Sequence, residues 1–216
     1  MTSFRKKKRP LSREEKTYAD DRLIIVACED RYAPAQYFDL LPNQRIKVKT
    51  LATEDGRSNP QAIFDRLTAY KDEFDLHEFD QLWLALDTDH WASGNHKKTL
   101  ANVLKVCQQQ GIRVAMSNPC FDLWLLLHQT DIGQEEALAS AADVAQRFRE
   151  ARNEFNKRRL DPTHYTASSI VEAVKRAMRL DVAPEDWFPE APCTRIYLIV
   201  EQAVEKDFIR LDNMEG

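Results

Sequence analysis

Apolar residues fall along this chain in two rhythms, short unbroken runs and helical repeats, and the two alternate. Leu23-Ile24-Ile25-Val26-Ala27-Cys28 is a continuous apolar run rich in β-branched side chains, the pattern of a strand buried on both faces in a parallel sheet. Pro34 then opens a helix over residues 34–41. Ile46-Lys47-Val48-Lys49-Thr50-Leu51 alternates, which predicts a second strand with one solvated face. Gly56-Arg57-Ser58-Asn59-Pro60 supplies a turn, a capping side chain and a proline for the first helical turn. The helix it opens extends to residue 71, with Ile63, Leu67 and Tyr70 on one face. Leu82-Trp83-Leu84-Ala85-Leu86 is a third, buried strand that runs into Asp87-Thr88-Asp89. A helix over 97–110 carries Leu100, Val103, Leu104 and Cys107 and stops at Gly111. Arg113-Val114-Ala115-Met116 is the fourth strand. Ser117 and Asn118 stand where they would cap the strongly apolar helix that follows over 121–128. Strand and helix alternate four times, which implies a parallel sheet sandwiched by helices.

Beyond residue 130 the strand signal stops. Residues 135–159 read as a long polar helix, interrupted or not, Ser168 or Ser169 as the cap of a helix ending near 180, and Thr194 as the start of a last apolar segment to 204. The proline-rich stretch between Pro184 and Pro192 reads as a linker. The expected organisation is a basic arm over 1–20, an α/β core over 21–130, and a helical extension over 131–216 packed on that core.

Charge changes the picture at one end. Residues 1–13 hold six basic side chains, including Lys6, Lys7 and Lys8, and no acidic one, so the remainder carries 25 basic against 35 acidic residues. Such an arm is a candidate contact for nucleic acid or an acidic partner, or a solvated tail. The acidic body argues against tight sequence-independent duplex binding, which needs a basic face. Nothing approaches the ~20 apolar residues of a membrane span, and no apolar segment follows the basic start as a signal peptide requires. The four cysteines are widely spaced with no C-x-x-C pair; they read as reduced, buried thiols of a cytoplasmic protein. The five glycines are too dispersed for a P-loop or a G-x-G-x-x-G turn, so ATP hydrolysis would belong to another chain.

The candidate chemistry lies at strand ends. Glu29 directly follows the first strand, and Asp87 and Asp89 the third. Open parallel sheets bind ligands beyond the carboxyl ends of their strands, where strand order reverses. With the order 2-1-3-4, which the sequence does not itself dictate, the three carboxylates meet there. Their mutual repulsion calls for a cation, and hard oxygen donors with open water positions suit Mg²⁺ or Mn²⁺ bridging to phosphate.

A strand ending in glutamate and a later one ending in Asp-x-Asp is similar to the layout of Toprim domains, found in topoisomerases, bacterial primases and OLD-type nucleases. The chain resembles the RloB-like family more closely, itself related to one component of the two-part AbiL abortive-infection systems. The matching segments are RKKKRPLSR, LIIVACED followed by Tyr37-Phe38, GRSNP, LWLALDTDHW, SNPCFDLWLLLH, and residues 170–180 followed by Thr194-Arg195-Ile196-Tyr197. Two departures stand out: Asp30 where the family usually has glycine, and Asp122 where it usually has glutamate. Asp30 either adds a fourth carboxylate or weakens the site.

The resemblance implies a Toprim-like fold and a Mg²⁺- or Mn²⁺-dependent nuclease, acting on RNA or DNA as an abortive-infection effector with a separate ATPase. The alternative is a catalytically inactive docking or sensor module for that ATPase. Asp87 and Asp89 would bind metal, and Glu29 would bind metal or act as general acid/base. Asp122 reads equally as a further ligand or as an acid favoured by the helix dipole. Arg57 and Ser58 stand at a helix start where phosphate binds well, and Asn118 is a further nucleic-acid candidate. His90, His96 and Trp91 lie in the loop after Asp89. His128, Trp83 and Trp124 read most simply as packing residues.

Overall fold

A computed structural model describes residues 22–41, 46–53, 56–89, 94–152 and 156–204. The arm and its Lys6, Lys7 and Lys8, together with His90 and Trp91, lie outside the described residues, as does the side chain of His96.

The core is a five-stranded sheet of β1 (Arg22–Cys28), β2 (Ile46–Leu51), β3 (Gln81–Asp87), β4 (Arg113–Asn118) and β5 (Cys193–Thr194). Its order is β2-β1-β3-β4-β5, with the first four strands parallel and β5 antiparallel to β4. Alternation along the buried strands divides the core in two. Ile24, Val26, Cys28, Trp83 and Ala85 point to one face; Leu23, Ile25, Ala27, Leu84 and Leu86 point to the other. The second face is covered by α2 (Pro60–Glu73) and α3 (Gly94–Gln109), through Ile63, Leu67, Leu100 and Val103. The first is covered by α1 (Ala33–Asp39), α4 (Asp122–Leu127), α5 (Ala141–Ala151), α6 (Ala167–Leu180) and α7 (Ile196–Ala203). Because α1 and α2 lie on opposite faces, the strand order reverses between β1 and β3. β2 closes one edge with Lys47 and Lys49 exposed, charges that discourage pairing with another chain.

All five residues from Leu123 to Leu127, Trp124 among them, are buried in one cluster with residues of α1, α6 and α7. The helices beyond residue 140 therefore share one apolar cluster with β1 and β3. Among the described residues no helix is long and apolar enough to cross a membrane. The four cysteines are free and buried.

Several local expectations are corrected. Of the helix expected over 135–159, the described residues hold only α5. Ser140 starts it with a capping box, its hydroxyl accepting from Asp143 N while the Asp143 carboxylate accepts from Ser140 N. Upstream, Glu136 turns back to accept from Gly133 N, so 133–139 is irregular. A strand does exist beyond 130: β5 has two residues, too few for a periodic signal. Thr166, not Ser168 or Ser169, caps α6, its hydroxyl accepting from Ser169 N. The stretch between Pro184 and Pro192 is a fixed strap rather than a linker. The buried Arg195 guanidinium makes a bidentate pair with Asp181 (2.9–3.1 Å), donates to the Ala183 carbonyl at 2.7 Å, and reaches the Asp186 carbonyl. Tyr197 Oη completes the knot by donating to Asp181 at 3.0 Å.

Candidate active site

The register sets Cys28 opposite Ala85. Glu29 thus leaves the sheet one residue beyond that pair, beside Asp87, which ends the adjacent strand. Asp87 in turn lies opposite Ser117 of β4. Beyond it, Thr88 N and Asp89 N both donate to the Pro119 carbonyl, at 3.0 and 3.2 Å. The Asp-x-Asp segment is thereby folded over the turn that leads into α4, whose first residue is Asp122. Two strand ends and one helix start bring Glu29, Asp87, Asp89 and Asp122 to a single edge.

The crowding is electrostatic as well as geometric. Burial, the largest cause, pushes the Asp87 carboxyl well above the usual range, and the charges of Glu29, Asp89, Asp122 and Asp30 push it further. Asp122 is pushed up to about 6 by burial; Asp30 and Asp89 add to the shift and Lys157 opposes it. Burial raises the Cys120 thiol, with Asp87, Asp122 and Asp89 adding to it, so this cysteine is a packing residue rather than a thiolate ligand.

Asp30 does not join the other carboxylates as an equal. Its Oδ1 accepts from Tyr32 N (2.6 Å) and Ala33 N (3.0 Å), holding the start of α1. Its Oδ2 accepts from Lys157 Nζ at 3.1 Å. Sequence reasoning missed Lys157, the first of three consecutive basic residues (Lys157-Arg158-Arg159) in a polar segment. It also missed Arg66, whose guanidinium donates to the carbonyls of Cys28, Leu51 and Arg57 and to Thr53 Oγ1, at 3.0–3.2 Å. Arg66 ties the carboxyl ends of β1 and β2 to the turn before α2, fixing the backbone from which Glu29 projects.

Arg57 is exposed and lines a cavity of about 300 Å³ with Ala62, Asp65 and Arg66. Ser58 is half-buried in the same turn, while Asn59 caps α2 by accepting from Ala62 N at 3.0 Å. The expected capping of α4 by Ser117 and Asn118 is not what the structure has. Ser117 Oγ pairs with Thr194 Oγ1 at 2.8 Å inside the core, and Asn118 Nδ2 donates to the Pro189 carbonyl at 2.7 Å. Both side chains face β5 and the strap, because β5 pairs along that edge of β4. No side chain caps α4. His128 is buried, between Tyr37 Oη (3.1 Å) and the Trp124 carbonyl (2.9 Å).

The family model for RloB-like proteins matches residues 24–202. The chain belongs to the RloB-like family. No curated protein and no solved structure matches it.

In this RloB-like chain the fit of a divalent cation can be judged from the donors themselves. All four carboxylates are hard oxygen donors, and Asp87 is buried under the repulsion of its neighbours, the environment a cation relieves. Among the described residues no three His, Cys, Asp or Glu side chains form a ready cage. Mg²⁺ does not need one, since it is commonly held by one or two carboxylates with water and phosphate completing an octahedron. The residues fit that mode of binding.

Proposed function

We propose that this RloB-like protein is a Mg²⁺- or Mn²⁺-dependent phosphodiesterase that cleaves RNA or DNA in the cytoplasm, as the toxic effector of an anti-phage abortive-infection system with a separate ATPase. The observation that carries the reading is the juxtaposition of Glu29 with Asp87 at the β1/β3 reversal, with Asp89 and Asp122 folded onto the same edge. Glu29, Asp87, Asp89 and Asp122 would hold the ion. When bound, the ion would supply polarisation of a phosphoryl oxygen and a more acidic water. Glu29 projects from a backbone braced by Arg66 and is the candidate general acid/base. Arg57, beside the 300 Å³ cavity, would receive a flanking phosphate of the nucleic acid, with Ser58 next to it. Asn118, already bonded to Pro189, would contribute to the site by fixing the turn at Pro119. The dispersed glycines build no P-loop, so ATP hydrolysis is assigned to a different chain.

Replacing Glu29 with glutamine tests the reading in cells that carry the ATPase partner. Glutamine keeps the size and removes the charge and the transferable proton. The expected result is loss of toxicity and of cleavage in total RNA and DNA, with unchanged folding and complex assembly. Full toxicity from the variant would defeat the nuclease reading.

A second reading, a non-catalytic docking or sensor module for the ATPase, is favoured by one observation: Asp30, where the family usually has glycine, is committed to α1 and to Lys157, so a cation is already placed at the acidic edge.

A further inference from the structure

Lys157 is the basic side chain brought against the acidic edge, and several contacts hold it there. Its carbonyl accepts from Gln36 Nε2 at 3.2 Å, and Gln36 Oε1 accepts from Leu160 N at 3.0 Å. One glutamine of α1 therefore clamps the segment on both sides of Arg158. Leu160 is buried in the core, and the Arg158 guanidinium lies 5.5 Å from the Tyr32 ring centroid. From this fixed segment the ammonium reaches Asp30 at 3.1 Å, half exposed while its partner is 14% exposed. Partial burial works against the lysine's charge, yet Asp122 and Asp30 together hold its pKa above the ordinary value. The same ammonium opposes the upward shift of Asp122. It therefore acts on a candidate metal ligand while bonded to a residue that is not one.

We propose that Lys157 is a tethered cation of the acidic edge, positioned by Asp30 and Gln36, which lowers the affinity of the carboxylates for a divalent ion and gives way when one binds. The inference rests on the metal reading above. Asp30 thereby has a role that glycine could not fill: one oxygen holds α1 and the other holds the lysine. The device offsets part of the negative charge of the metal-free site and raises the ion concentration needed to load it.

The probe is Mn²⁺ alone, titrated into the full-length, metal-stripped protein. Free ion is read by electron paramagnetic resonance at neutral pH and physiological ionic strength. Repulsion between the half-exposed ammonium and a divalent ion held at the same edge predicts about tenfold tighter binding by Lys157→Gln. Lys157→Arg keeps the charge and the pairing with Asp30, so its affinity should stay within about twofold of the parent. Circular dichroism of both variants verifies folding. Tighter binding by Lys157→Gln with parental binding by Lys157→Arg supports the proposal. Equal binding by all three proteins, or weaker binding by Lys157→Gln, overturns it and leaves the metal reading standing. No binding by any of them overturns both.

Discussion

Replacing Asp122 with asparagine should make the metal-free protein more stable near neutral pH, the reverse of the usual result of deleting a charged side chain. The Asp122 carboxyl sits at about 6 in the folded chain against an ordinary 3.8, because burial disfavours its charge and Asp30 and Asp89 add repulsion beyond what Lys157 offsets. A raised carboxyl pKa means that the folded state holds the proton more tightly than the unfolded state does. Stability therefore falls as pH rises from about 4 to about 6, and the full penalty persists above that. A displacement of about two units corresponds to about 3 kcal/mol. Asparagine keeps the shape and removes the charge, but its amide must still be desolvated and Lys157 loses an attraction. The net gain should be about 1–2 kcal/mol, or a Tm rise of about 2–8 °C for a chain of this size. Thermal unfolding in a chelator, stepped from about pH 5 to about pH 8, measures it, and the gain should grow with pH. Saturating Mn²⁺ should shrink or reverse the gain, since an ion bound only by the folded state stabilises the parent more. Equal melting temperatures near pH 8, or a gain largest near pH 5, would refute the reasoning.

Other regions give separate tests. Arg195→Met should lower stability by about 3–5 kcal/mol in urea unfolding, because Asp181 is left charged in the core; adding Asp181→Leu should recover most of it, and a small single-variant loss would contradict the knot. His128 donates from Nδ1 to the Trp124 carbonyl and accepts at Nε2 from Tyr37. Burial lowers its pKa to about 3, with Arg176 adding to the shift and the Trp124 hydrogen bond opposing it. Its imidazole NMR signals should stay constant from about pH 8 to about pH 5, and the folded state should lose stability as pH falls from about 6.5 toward 3, where only the unfolded chain takes up the proton. A His128 midpoint near 6.5 would contradict that environment.

The elements that sequence made legible are those whose burial repeats. β1 and β3 are unbroken apolar runs because both faces are covered, and β2 alternates because it is an edge. Glu29, Asp87 and Asp89 were legible as strand-end acids for the same reason: the apolar run stops at them. What was illegible depends on single long-range contacts. The two-residue β5 exists through pairing with Ser117 and Asn118, and Asn118 was misassigned as a helix cap because that pairing carries no periodic signature. Lys157 lies 127 residues from Asp30, and Arg66 reads as one more polar position on a helix. The strap between Pro184 and Pro192 looked like a linker because its order comes from Arg195 and Asn118 bonding to its carbonyls. The late start of α5 did have a signal, the Ser140-x-x-Asp143 box, which the run of helix-forming residues upstream concealed.

The central claim is that the β1/β3 edge takes a divalent cation, and anomalous scattering from Mn²⁺-soaked crystals tests it most directly. The account predicts a peak within about 2.0–2.3 Å of carboxylate oxygens from one or two of Glu29, Asp87, Asp89 and Asp122, with water completing the shell, and loss of that peak in the protein carrying Asp87→Asn with Asp89→Asn. A peak at another place on the chain, or one that survives the double substitution, would contradict it.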